Sequence, residues 1–154
     1  MSDCPRCVDR RVSRALPVSL AALCVLLLVS CGLRESKIRA EQAVKDFHAL
    51  LNKGQYDVIY YASDARLKKT WTQTDFAAYL GNIHSRLGVA GQSATRGYEV
   101  NASTGSGTEV ALSVETRFDY GTAKERFVWR IEGDQAVLLD YHADLTPSPG
   151  PTTV

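Results

Sequence analysis

The sequence predicts an α+β domain in which N-terminal helices pack on a curved antiparallel sheet of about four strands. Two observations carry this. Apolar residues recur at helical spacing in two segments before residue 88, and from Gly91 onward the apolar period changes to two. A chain of 154 residues fits one such domain, and 45% hydrophobic with 23% charged residues is an ordinary globular composition, which excludes a fibre or a long disordered arm.

The first helix is predicted over residues 38–53. Ala40, Ala43, Val44, Phe47, Leu50 and Leu51 form one apolar stripe, Glu41, Lys45 and Asp46 lie opposite, and Gly54 stands where a left-handed C-terminal residue is wanted. Residues 55–70 are less periodic, but Tyr56, Ile59 and Tyr60 suggest one or two short helical turns. The second long helix covers residues 75–87, with Phe76, Tyr79, Leu80, Ile83 and Leu87 on one stripe, Thr72 or Thr74 as N-cap and Gly88 as its stop.

Residues 93–101 form the first strand and 102–107 a flexible loop. Val110, Leu112, Val114, Thr116 and Phe118 then alternate with polar residues. A turn at Tyr120-Gly121 leads into a third strand, with Ala123, Glu125, Phe127, Trp129 and Ile131 on one face and Lys124, Arg126 and Arg130 on the other. After the tight-turn dipeptide Gly133-Asp134, Val137, Leu139 and Tyr141 are expected on the core face of the last strand. Residues 146–154, with three Pro and a Gly, read as a loose tail.

Ahead of this domain, Arg6, Arg10, Arg11 and Arg14 precede an almost wholly apolar run over residues 15–30, the form of an export signal. Sixteen helical residues reach about 24 Å, short of the ~30 Å hydrocarbon core, so a permanent transmembrane helix is the weaker reading. Arg10-Arg11 is followed by Val12-Ser13-Arg14 rather than by apolar residues, which favours general secretion over twin-arginine export.

The run ends in Leu28-Val29-Ser30-Cys31-Gly32, which resembles the lipobox of bacterial lipoproteins. That resemblance implies removal of residues 1–30, a diacylglyceryl thioether on Cys31, a tether over residues 31–37 and a domain over 38–145. Gly rather than Asp at position 32 implies passage to the outer membrane, facing the periplasm. Two or more acyl chains hold a protein at a bilayer where one holds only marginally.

Cys4, Cys7, Cys24 and Cys31 all fall at or before the expected cut, leaving the domain without thiol or disulfide. Cys4-Pro5-Arg6-Cys7 is a single CxxC with no second pair, too little for a zinc site. Of 18 basic and 17 acidic residues, four Arg and two Asp lie in the leader, so the remainder stands at −1. A neutral surface of this kind excludes nucleic acid as a partner.

Residues 127–141, FVWRIEGDQAVLLDY, resemble the closing hairpin of nuclear transport factor 2-like domains. The opening helix with Phe47, then Tyr56 and the Phe76 helix, follows the same order over most of residues 36–143. The resemblance implies a cone-shaped fold enclosing a pocket, lined here by Tyr60, Tyr79, Trp129 and Tyr141. Asp140 and His142 share the face opposite Val137 and Tyr141 and read as a solvated strand surface.

No position matches the acid and base pattern of that superfamily's enzymes, and neither a Ser/His/Asp nor a phosphate-loop pattern is recognisable along the chain. His48 and His84 lack partners at metal-ligand spacing, so neither metal nor cofactor is expected. Arg66, Lys68 and Lys69 read as a wet helix face. The expectation is therefore a non-enzymatic envelope lipoprotein, held to the membrane by its lipid anchor and binding a small apolar ligand or another envelope protein. The alternative is a pocket enzyme of isomerase or hydrolase type, for which the discriminating feature is a buried carboxylate or His facing the cavity.

Overall fold

The computed structural model describes residues 17–103 and 107–148, with the side chains of 17–31, 102 and 103 outside that description. The chain divides into two units, Met1–Gly32 and Leu33–Val154. The elements run α1 (Pro17–Asn52), α2 (Tyr56–Ala62), α3 (Ala65–Thr70), α4 (Gln73–Leu87), β1 (Ala90–Ser103), β2 (Gly107–Phe118), β3 (Gly121–Glu132) and β4 (Gln135–Pro147). The strands pair as an antiparallel meander in the order β1-β2-β3-β4, so the expected α+β class holds.

Helix α1 differs from the expected tether, because residues 32–37 belong to it. They lack an apolar stripe, but Arg39 donates to Glu35 at 2.8 Å and Lys37 to Glu41 at 2.7 Å, both one helical turn apart. Such i,i+4 pairs sustain helix without any apolar face. At the other end the Gly54 N–H reaches the Leu51 carbonyl and the Gln55 N–H reaches that of Leu50, each at 3.0 Å, while Gly54 takes φ +66°. This Schellman closure satisfies carbonyls that the helix end leaves unpaired.

The poorly periodic segment holds two short helices, α2 and α3. Asp64 caps α3 by accepting from the Arg66 N–H, and its own N–H donates to the Leu138 carbonyl at 2.9 Å, which ties the helical layer to β4. Helix α4 starts at Gln73, because Thr72 is the cap that accepts from the Asp75 N–H at 3.1 Å.

The core lies between the helices and one face of the sheet. Val44, Phe47 and Leu51 of α1 and Phe76, Leu80 and Ile83 of α4 meet Leu112, Phe127 and Tyr141. Phe47 sits 5.1 Å edge-on from Phe127 and 4.7 Å from Tyr141, ring centre to ring centre. Each large side chain buried there contributes roughly 1.5–3 kcal/mol relative to exposure.

The last strand departs from strict alternation. Phe127 pairs with Tyr141 and Val128 with Asp140, but Trp129 pairs with Leu138, leaving Leu139 as an extra residue in a bulge. The bulge moves Val137 off the core face and puts Ala136 and Leu138 in its place. Leu139 is buried yet stands outside the main cluster, and only Tyr141 keeps the position expected for it. β1 continues to Ser103, opposite Gly107 where β2 starts, so residues 102, 103 and 107 of the expected loop belong to the strands, and residues 104–106 lie outside the described residues. Thr146 and Pro147, expected in the tail, pair with Thr122 and Gly121; residues 149–154 lie outside the described residues.

Replacing Thr72 by Ala removes the α4 cap and is expected to lower stability by about 1 kcal/mol in urea unfolding, whereas Thr72→Ser retains it.

Candidate functional site

Helix α1 presents two flanks, and a different concavity opens beside each. On one flank, Arg39, Ala43, Phe47 and Leu50 line a cleft of about 300 Å³, completed by Ile59 and Ala62 of α2 and by Trp129, Ala136 and Leu138 of the sheet. Its polar groups stand mainly at the rim. Gln42 donates to Asp46 at 3.1 Å, and Arg39 donates to Asp134 in the β3-β4 turn. The floor is apolar because the β4 bulge brings Leu138 and Ala136 round to it. Trp129 is 5% exposed, and its indole N–H has no hydrogen-bond partner among the described residues, a loss of about 1–3 kcal/mol beside the cleft.

Beneath the other flank lies a polar network inside the core. Glu125 on β3 is 2% exposed, and its carboxylate accepts from three side chains on three other elements. Tyr141 of β4 donates to Oε1 at 2.7 Å. Thr116 of β2 donates to Oε2 at 2.5 Å, and His48 Nε2 of α1 stands 2.9 Å from the same oxygen. The second ring nitrogen of His48, Nδ1, faces the hydroxyl of Ser93 on β1 at 3.3 Å, and that hydroxyl is 3.0 Å from Thr116 Oγ1. Phe47, Phe118 and Phe127 surround the imidazole edge-on.

Burial acts visibly on the phenols here. Tyr141 is pushed well above the ordinary phenol range, first by desolvation and then by the negative charge and hydrogen bonding of Glu125. Tyr79 is raised as well, chiefly by burial, against the backbone N–H of Ala143 that donates to its oxygen at 2.9 Å.

The residues singled out as pocket lining go to different places. Trp129 lines the cleft. Tyr141 belongs to the buried network. Tyr79 stacks on Trp71 at 5.1 Å and lies 6.0 Å from Tyr141, while Tyr60 donates to the Trp71 carbonyl at 3.2 Å. Asp140 and His142 are exposed, with His142 beside Asp144 at 3.2 Å. His84 meets the Tyr56 hydroxyl at 3.0 Å. Lys68 donates to the Tyr61 carbonyl and Arg66 pairs with Glu109 on the surface.

Among the described residues no three His, Cys, Asp or Glu side chains converge as metal ligands. Leu28, Val29, Ser30 and Cys31 lie within α1 as far as the backbone is described, while Cys4, Cys7 and the four leader arginines lie outside the described residues. Alternation along β2 and β3 puts Thr116 and Glu125 on the core face, where each needs a polar partner that the strand pattern does not name. A carboxylate alternating with Ala123 and Phe127 was the available signal; His48 and Ser93 carried none, since their partners lie 77 and 23 residues away. No protein-family model matches the chain, and no curated protein matches it.

Tyr141→Phe is expected to cost about 1.5–3 kcal/mol in urea unfolding, since it deletes a hydrogen bond to a buried charged group. The raised phenols also set an alkaline limit. Unfolded tyrosine ionises near pH 10, so above that pH the unfolded chain loses protons that folded Tyr141 and Tyr79 retain. Stability is expected to be level through neutral pH and to fall as pH rises above 10, with Tyr141→Phe showing the shallower fall.

Proposed function

We propose that this chain is a bacterial envelope lipoprotein, cut before Cys31, acylated on that sulfur and held in the outer membrane with its domain facing the periplasm. In this reading the domain is nuclear transport factor 2-like and its cleft binds a small apolar ligand without reacting with it. The observation that carries the binding role is the cleft between α1, α2 and the β3-β4 hairpin. Its volume of about 300 Å³ sits at the lower end of small-molecule sites, and its apolar floor under a polar rim is the usual make-up of such sites.

The anchor rests on the lipobox residues Leu28 to Cys31 after an apolar run. Among the described residues, no helix is long and apolar enough to cross a membrane. The order of helices followed by an antiparallel meander supports the family assignment. The charged groups that line the cleft are engaged at its rim, Arg39 with Asp134 and Asp46 with Gln42, which favours holding a ligand over catalysing its conversion there.

Mass spectrometry of the protein isolated from envelopes is expected to give a mature chain beginning at Cys31 and carrying acyl mass. Cys31→Ala is expected to lack that mass and to leave the detergent phase; a wild-type chain without acyl mass overturns the anchor. For the cleft, the probe is N-phenyl-1-naphthylamine, followed by its own fluorescence and by Trp129 emission in a Trp71→Phe background. Ala136→Phe fills the floor and is expected to weaken binding roughly tenfold or more, equivalent to about 1.4 kcal/mol. Equal binding by the filled variant overturns the cleft as the site.

A further inference from the structure

The polar network reaches the surface at Ser93, on the flank of α1 away from the ligand cleft. We propose that Ser93, His48 and Glu125 form a nucleophilic centre that hydrolyses carboxylic esters, an activity additional to binding in the cleft. Three observations on separate elements carry this.

The first is the line of contacts. Ser93 Oγ lies 3.3 Å from His48 Nδ1, and His48 Nε2 lies 2.9 Å from Glu125 Oε2. Nucleophile, base and orienting carboxylate thus follow one another. The two ring nitrogens exchange the roles they have in the familiar serine proteases. Such centres are recognised by geometry and role, and either nitrogen accepts a proton once the other is held as a donor. Thr116 and Tyr141 both donate to Glu125, which keeps the carboxylate an acceptor toward Nε2–H; the single hydroxyl proton of Ser93 then has two acceptors within reach, Thr116 Oγ1 at 3.0 Å and His48 Nδ1 at 3.3 Å.

The second is depth. Ser93 is exposed, while His48 is 5% and Glu125 2% exposed. Ser93 is set there by an irregularity in β1. Ala90 pairs with Phe118 and Ser93 with Thr116, so residues 91 and 92 stand opposite Arg117 alone, a bulge of the sort that re-aims a side chain.

The third is access. A groove of about 490 Å³ runs between α1 and β1, with Ser93 and Thr95 on its lining and Lys37, Lys45 and Arg96 around them; Lys37 is paired with Glu41 and Arg96 with Glu115, so the surplus positive charge is that of Lys45. Positive charge beside a hydroxyl nucleophile favours the oxyanion that develops during attack and an ester that carries a negative group of its own.

In the step itself, Ser93 Oγ bonds to the ester carbonyl carbon as its proton passes to Nδ1. Collapse of the tetrahedral adduct breaks the bond to the alkoxide, which takes that proton and leaves as the alcohol. Water then attacks the acyl-Ser93 ester, its proton passing to Nδ1 and on to Ser93 Oγ as the carboxylic acid departs. Ser93 and His48 are the catalytic residues, and Glu125 is a positioning residue that acts through His48.

The test uses the full chain with a fluorophosphonate and two chromogenic esters, p-nitrophenyl acetate and the monoanionic p-nitrophenyl succinate. Peptide mass spectrometry is expected to place one phosphonyl adduct on Ser93, with a burst of p-nitrophenol and a lower KM for the succinate. Ser93→Ala removes the hydroxyl that meets His48 and Thr116, and is expected to unfold at a lower temperature than wild type, to remain folded at the assay temperature and to lose both adduct and burst. No adduct at Ser93, or an undiminished burst in Ser93→Ala, overturns the proposal; equal KM values overturn the anionic preference.

The titratable group in contact with the His48 ring is Glu125 on β3, with Tyr141 on β4 behind it; the groove beside Ser93 adds Lys37, Glu41 and Lys45 of α1 and Arg96 of β1 with its partner Glu115 of β2. The wild-type labelling rate is expected to rise with pH to a plateau. A rate that climbs in proportion to hydroxide without levelling overturns the role of His48, whether or not a His48→Gln variant folds. Glu125→Gln is expected to displace the inflection of that profile along the pH axis; an unmoved inflection in the folded fraction removes Glu125 from the centre.

Discussion

A carboxylate that is 2% exposed in the middle of an apolar core has to find donors or be expelled. Glu125 finds three, and they come from α1, β2 and β4. Burying a charge costs several kcal/mol, and only good geometry on every lone pair recovers it. The consequence is positional. Sliding α1 by one residue, or β4 by one register step, takes His48 or Tyr141 away from the carboxylate and leaves it unpaired. Apolar packing of Phe47, Phe127 and Tyr141 favours the helix on the sheet in many related poses, whereas the hydrogen bonds single out one.

That pose sets the two flanks of α1 over two unlike concavities. Arg39, Ala43, Asp46 and Leu50 recur at helical spacing on one flank and look into the cleft under α2. Lys37, Glu41, Val44 and Lys45 do the same on the other and border the β1 groove. Phe47 belongs to both the core and the cleft wall, so the apolar anchor of the fold also separates the two sites. The cleft suits retention of an apolar ligand; the groove, with a hydroxyl above a histidine and cations around it, suits a polar reactant. A small domain can carry both because the same helix provides one wall of each.

Two of the three β-bulges among the described strands make the sites possible. In β4 the extra Leu139 brings Leu138 and Ala136 to the cleft floor, and in β1 the irregularity before Ser93 sets its hydroxyl over His48. A strand alternates with a period of two, so one inserted residue exchanges its faces beyond the insertion. Without these bulges Val137 would occupy the core face and Leu138 the solvent face, and the cleft would lose its apolar floor.

The amino-acid order by itself determined the α+β class, the long helices, their glycine stops and the four strands, because amphipathic period and capping chemistry are local properties read within a turn or two. It also marked Glu125 on the apolar face of β3, a legible oddity, and placed Trp129 where the cleft has its wall. The helical course of residues 32–37 was less legible, since charge pairs rather than an apolar stripe sustain it. Tertiary structure alone decided that His48 answers Glu125, that Ser93 answers His48, that Tyr141 leaves the pocket for the core and that Leu138 replaces Leu139. Those outcomes depend on partners many residues apart and on the placement of single bulges, and a pattern confined to one segment holds no information about which distant donor a buried carboxylate will meet.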